Sequence, residues 1–110
     1  MTTAIDQPTA LATMVETSAG SVTSRVLLRN GGGVMTVFAF AQGEGLTEHS
    51  TPHEATLLLL EGSLRITVGE TDHQMTTGDI LHLPAAIPHT LHGGEPFKML
   101  LTLFKEVATG

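Results

Sequence analysis

The chain predicts an all-β, single-domain protein of the sandwich or barrel class, and three observations carry that prediction. Short runs rich in Val, Leu, Ile, Thr and Phe alternate with turns bearing Gly, Asn and Asp at close, regular spacing. No stretch keeps a helical apolar period with caps at both ends, apart from a turn-like segment within residues 9–16. At 110 residues the chain has room for one buried core and not for two.

Residues 1–20 read as an N-terminal segment, loosely docked or serving as an interface strand, and residues 21–110 as the barrel domain. Residues 21–28 form the first strand, ended by Asn30-Gly31-Gly32-Gly33, where glycines supply a tight turn. Residues 34–40 form the second, closed by Gln42 to Gly45. Residues 55–61 are expected to pair with residues 63–68 across Glu61-Gly62. Gly69-Glu70-Thr71-Asp72 turns the chain into residues 73–76, and Thr77-Gly78-Asp79 turns it again into residues 80–83, which stop at Pro84. Residues 97–105 are the last strand. Its run Met99 to Phe104 is apolar at both parities, which predicts cover on both faces and therefore an isologous homodimer.

Composition narrows the function. The net charge is −6, and the five basic residues, Arg25, Arg29, Arg65, Lys98 and Lys105, do not cluster. A phosphate-tracking surface needs a concentrated positive stripe, so neither nucleic acid nor an anionic membrane is an expected partner. With no Trp or Tyr there is little to stack on sugars or bases, and with no Cys there are no disulfides or thiolate sites. The first residues lack a basic start followed by a continuous apolar stretch, so they do not read as a signal peptide, and a cytoplasmic protein is expected.

Two histidine-bearing segments flank apolar runs. In the first, Gly43 is followed by five residues and then His49, and Ala55 by six residues and then Gly62. In the second, Gly78, Pro84 and His89 stand at spacings of six and five. In both segments the chain resembles a small single-domain cupin, the double-stranded β-helix or jelly-roll family, from about residue 34 to residue 104. The resemblance implies a jelly-roll barrel with an internal metal site. The departures fall on the ligands: Thr51 stands where the family has a second histidine, Ala55 where it has a glutamate, and Gly93 where it has an asparagine. Only His49 and His89 carry over.

His53 supplies a possible third donor. In an extended chain, residues of equal parity share a face, so His49, Thr51, His53 and Ala55 would line one pocket, with Glu54 turned outward. Pro52 bears on that regularity, because it cannot donate to a ladder and restricts the residue before it. His49, His53 and His89 are thus the candidate metal ligands and Thr51 and Ala55 the candidate lining. Three imidazoles with open positions suit Zn, Fe, Ni or Cu. His82, His73 and His92 read as surface residues. Three functions follow from the resemblance and this donor set. The first is a metal-dependent enzyme such as a dioxygenase or isomerase acting on a small molecule. The second is a metal-free binding module. The third is a metal-free acid–base enzyme resembling the sugar epimerase cupins, with His89 as base but no carboxylate partner for it.

Overall fold

Nine strands, all paired antiparallel, form two facing sheets in the computed structural model, which describes residues 3–105. The ends of the two predicted segments, residues 1–2 and 106–110, lie outside the described residues. In chain order the strands are β1 (Val22–Asn30), β2 (Gly33–Phe40), β3 (Leu46–His49), β4 (Glu54–Glu61), β5 (Ser63–Val68), β6 (Thr71–Thr76), β7 (Ile80–Leu83), β8 (His89–His92) and β9 (Phe97–Phe104). One sheet has the order β1-β2-β9-β4-β7 and the other β3-β8-β5-β6. This is the jelly-roll barrel the sequence predicts.

Strict alternation explains why the sheets face each other. Along β4 the pattern is exposed or half-buried at even positions and buried at Ala55, Leu57 and Leu59; along β5 it is buried at Leu64 and Ile66. Period-2 patterning of this kind forces one face of each sheet inward. The inward faces meet in one core of Phe40, Ala55, Leu57, Leu59, Leu64, Ile66, Met75, Leu83, Leu91, Phe97 and Met99. Fully burying each large aliphatic side chain here is worth about 1.5–3 kcal/mol. Phe40 and Phe97 stack within it, with ring centroids 4.4 Å apart and planes 10° from parallel.

A second, smaller core lies on the outer face of the five-stranded sheet. Val15 covers Leu27, Val37 and Ala39 there, joined by Ile5, Leu11, Met14, Leu60 and Leu100. The segment that lays down this cover contains the one short helical element, a 3-10 turn at Leu11–Thr13, and is tied to the barrel by Lys98, whose Nζ donates to the Ala12 carbonyl at 2.7 Å. The outward apolar side of β9 therefore finds part of its cover, at Leu100, within the same chain.

Two features of the topology differ from the sequence expectation. β4 and β5 do not pair: β4 lies between β9 and β7, and β5 between β8 and β6. Glu61-Gly62 is a corner where the chain changes sheets and not a hairpin turn. Gly62 has φ +87, and a Cβ there would stand 2.5 Å from the Pro96 carbonyl oxygen, so only glycine allows the strand ends to cross so closely. The other difference is that the short segments β3 and β8 are strands. Both are four residues long, too brief for alternation to announce them.

Candidate functional site

The two strands that the sequence did not announce carry the site. β3 and β8 are neighbours, and His49 is the cross-strand partner of His89. Directly opposed residues on adjacent strands bring their side chains together, so this register alone juxtaposes the two imidazoles. Their Nε2 atoms are 3.0 Å apart, and the rings meet edge to face with centroids 4.2 Å apart. His89 is buried, while His49 is open to solvent.

One proton holds this pair. His49 Nδ1 lies 2.9 Å from the Thr47 carbonyl, which accepts only if Nδ1 carries the hydrogen. Neutral His49 then has a bare Nε2, and His89 Nε2–H donates to it. His89 Nδ1 is buried without a hydrogen-bond partner. Burial holds the His89 ring below its ordinary pKa, the nearby His49 adds to the effect, and the Ile87 carbonyl offsets part of it. Burial thus favours the neutral imidazole at His89.

The loops that present the histidines are stitched to each other. Ser50 to His53 links β3 to β4, and Pro84 to Pro88 links β7 to β8. The Ala86 N–H donates to the Thr51 carbonyl at 2.7 Å, and the Ala85 N–H donates to the Glu54 carboxylate. The other oxygen of Glu54 pairs with His82 Nε2 at 3.0 Å. The Ala85 amide, followed by His82, holds the Glu54 carboxyl below the usual carboxylate range. Glu54 is turned outward as its parity requires, and it serves as the clasp between the two loops. His82 lies on the surface, as expected. His92 departs from expectation: it is half-buried, with Nε2 2.7 Å from Thr67 Oγ1, and Thr67 in turn donates to Asp72. His73 is half-buried too.

The parity argument for His53 does not survive the chain's path. β3 ends at His49 and β4 begins at Glu54, so the four intervening residues, Pro52 among them, are not extended ladder. His53 is half-buried, with an unpartnered Nδ1, and its N–H donates to Thr51 Oγ1 at 3.3 Å. Among the described residues no group of three or more His, Cys, Asp or Glu side chains is gathered closely enough to hold a metal ion. The pair itself has suitable spacing: two nitrogens about 2.1 Å from a common ion and at right angles are about 3.0 Å apart. As the residues stand, two donors fit an ion and a third does not, fewer than the three protein ligands of an ordinary catalytic centre. Ala55 is buried in the main core against Leu83, and Thr51 is half-buried beside His53.

Two cavities lie away from the pair. One, of about 240 Å³, is lined by Leu28, Gly33, Met35, Thr102 and Phe104 among others, at the tip of the β1–β2 hairpin. The other, of about 280 Å³, lies where Glu16 and Thr17 meet Glu61 and Lys98.

Comparison with known proteins supports this architecture. The model of the family described as "Cupin domain" matches residues 36–103. A conserved protein of unknown function from Streptococcus pyogenes superposes with a TM-score of 0.86 at 30% identity, over 94% of this chain and 90% of that one. A cupin superfamily protein from Desulfitobacterium hafniense gives 0.86 at 28% identity, over 92% and 93%. A cupin 2 conserved barrel domain protein from Leptotrichia buccalis gives 0.82 at 36% identity, over 86% of this chain and 46% of that one. No curated protein matches the chain. The matched residues span most of β2 through most of β9, and with them the corner, the stitched loops and both histidine-bearing strands; the chain belongs to the cupin family.

Proposed function

We propose that this protein is a metal-free binding module that takes a small molecule at the histidine end of its barrel, with His49 and His89 as the polar anchor. The observation that carries the reading is the Nε2–Nε2 hydrogen bond at 3.0 Å, with no third metal-ligating side chain gathered beside it among the described residues. The unpartnered His89 Nδ1 marks what the ligand brings, namely a hydrogen-bond donor such as a hydroxyl or amide N–H. Partly buried Leu46, Val68 and Leu101, packed against the main core, supply apolar surroundings for the rest of a small ligand.

Thermal shift of untagged protein against a metabolite panel, with and without chelator, tests this. The expected result is stabilisation by a donor-bearing ligand that survives the chelator and disappears in His89→Leu. Elemental analysis showing close to one transition metal per chain, lost in His49→Ala, would overturn it. That outcome would favour the competing reading, a divalent-metal enzyme using His49, His53 and His89. Two observations speak for it: the pair has the spacing of adjacent ligands, and His53 Nδ1 is buried without a partner.

A further inference from the structure

The tip of the β1–β2 hairpin holds the single asparagine of the chain, Asn30, directly before Gly31, and both residues are exposed. Around them the turn is tied down. The Gly32 N–H donates to Asn30 Oδ1 at 2.7 Å, and the Gly32 carbonyl accepts from the Lys105 N–H at 2.9 Å. Gly33 pairs with Asn30 across the hairpin, and a Cβ on it would stand 2.2 Å from the Leu103 carbonyl oxygen. Gly31 is the exception. It makes no hydrogen bond among the described residues, and a Cβ there would meet nothing within 4 Å. The tip is therefore a fixed frame around one free peptide N–H.

That frame suits a ring closure. The amide carbon of an asparagine side chain and the next backbone nitrogen are the ends of a five-membered ring, and a glycine at the second position leaves the approach open and the backbone free to turn. The Gly32 N–H polarises the Asn30 side-chain carbonyl. It also sits where negative charge collects on Oδ1 when Cγ is attacked, so the donor that folds the side chain back also stabilises the product of attack.

We propose that Asn30-Gly31 is a self-modification site, at which the folded protein converts its asparagine to an aspartyl or isoaspartyl residue with water as co-reactant. Hydroxide takes the Gly31 amide proton, and the nitrogen bonds to Asn30 Cγ. The Cγ–Nδ2 bond then breaks, and Nδ2 leaves as ammonia after taking a proton from water. Water opens the resulting succinimide at one carbonyl to give aspartate, or at the other to give isoaspartate, whose backbone runs through the former side chain. Either product sets a carboxylate on the rim of the groove that Asn30 shares with Leu28 and Phe104. The isoaspartyl link also adds a methylene to the backbone inside the turn that the Lys105–Gly32 bond holds. The age of a chain is thus recorded as charge at this tip.

Isoelectric focusing of the full chain, aged at mildly alkaline pH either folded or unfolded in guanidinium chloride, tests this. The expected result is an acidic band that co-migrates with Asn30→Asp, with release of ammonia, forming at least as fast in the folded chain as in the unfolded one. Asn30→Gln should lose the band. Gly31→Ala should keep the fold, because its Cβ has room and the backbone there is not left-handed. It should slow the change at least about fivefold, since the ring closure loses the freedom of the glycine. A folded chain that changes more slowly than the unfolded one, or not at all, would overturn the proposal, because the turn would then protect the asparagine. So would an acidic band that persists at the parent rate in Asn30→Gln, which would assign it to Gln7, Gln42 or Gln74.

Discussion

The two ends of the barrel interior are built from the same strands to different specifications. At the Gly62 end, Phe40 and Phe97 stack and Leu59, Leu64, Met75 and Met99 close the space around them, every one at most 3% exposed. At the other end the strands finish in Ala55, Val68 and the two imidazoles, the loops are held by Glu54, and His89 keeps a polar atom buried without a partner. The first end has complementary packing and no unmet valence. The second has small or polar groups where packing could have continued. Such an end stabilises less and presents polar atoms instead of a closed apolar packing, which is why function is proposed there.

Substitutions can break that contrast. Phe97→Ala should cost about 3–5 kcal/mol, read as a shift of the urea midpoint at constant slope, since it removes a stacked ring from a space that cannot collapse. A loss under about 1 kcal/mol would mean the Gly62 end is not the stabilising one. His89→Leu should leave stability within about 1 kcal/mol of the parent, because it removes an orphaned acceptor while leaving His49 in water. The same change should abolish ligand stabilisation.

The pH dependence sharpens the contrast further. His89 has its pKa lowered from 6.5 in the folded chain, chiefly by burial, so the unfolded chain binds the proton more readily. Stability should therefore be level above about pH 6.5 and decline as the pH falls from there through the folded value. The melting temperature of His89→Leu should stay flat over that window, and a decline equal to the parent's would assign the effect to another group. The smallest effect expected is at Ala86, which holds φ 64 in the loop leading to His89. Ala86→Gly should raise stability by about 0.5–1 kcal/mol in the same urea titration, the relief of a left-handed alanine less the added freedom of the unfolded chain.

How much of this was legible in the sequence depends on length scale. The long strands β1, β2, β4, β5 and β9 announce themselves through alternation or apolar runs, and the glycine turns mark their ends. The equal-spaced motif residues identify His49 and His89. Three things were not legible, each for a physical reason. β4 and β5 look like a hairpin because a corner between sheets and a turn within one use the same glycine. His53 looks like a third ligand because parity holds only inside a ladder, and the ladder stops at His49. The binding of Glu54 to the amide of Ala85 joins residues 31 apart in sequence, which no local pattern reports.

The histidine pair joins residues 40 apart in the chain, across the edge strand β3, whose only sheet neighbour among the described residues is β8. Until β5 and β6 have formed and β8 has docked on them, β3 has no template to pair with, and closing so long a loop is entropically costly. The juxtaposition of the two imidazoles therefore depends on β8 holding its place beside β5. A chain in which β8 has come away from β5 should lose the His49–His89 contact, read as a shift in the imidazole NMR signals.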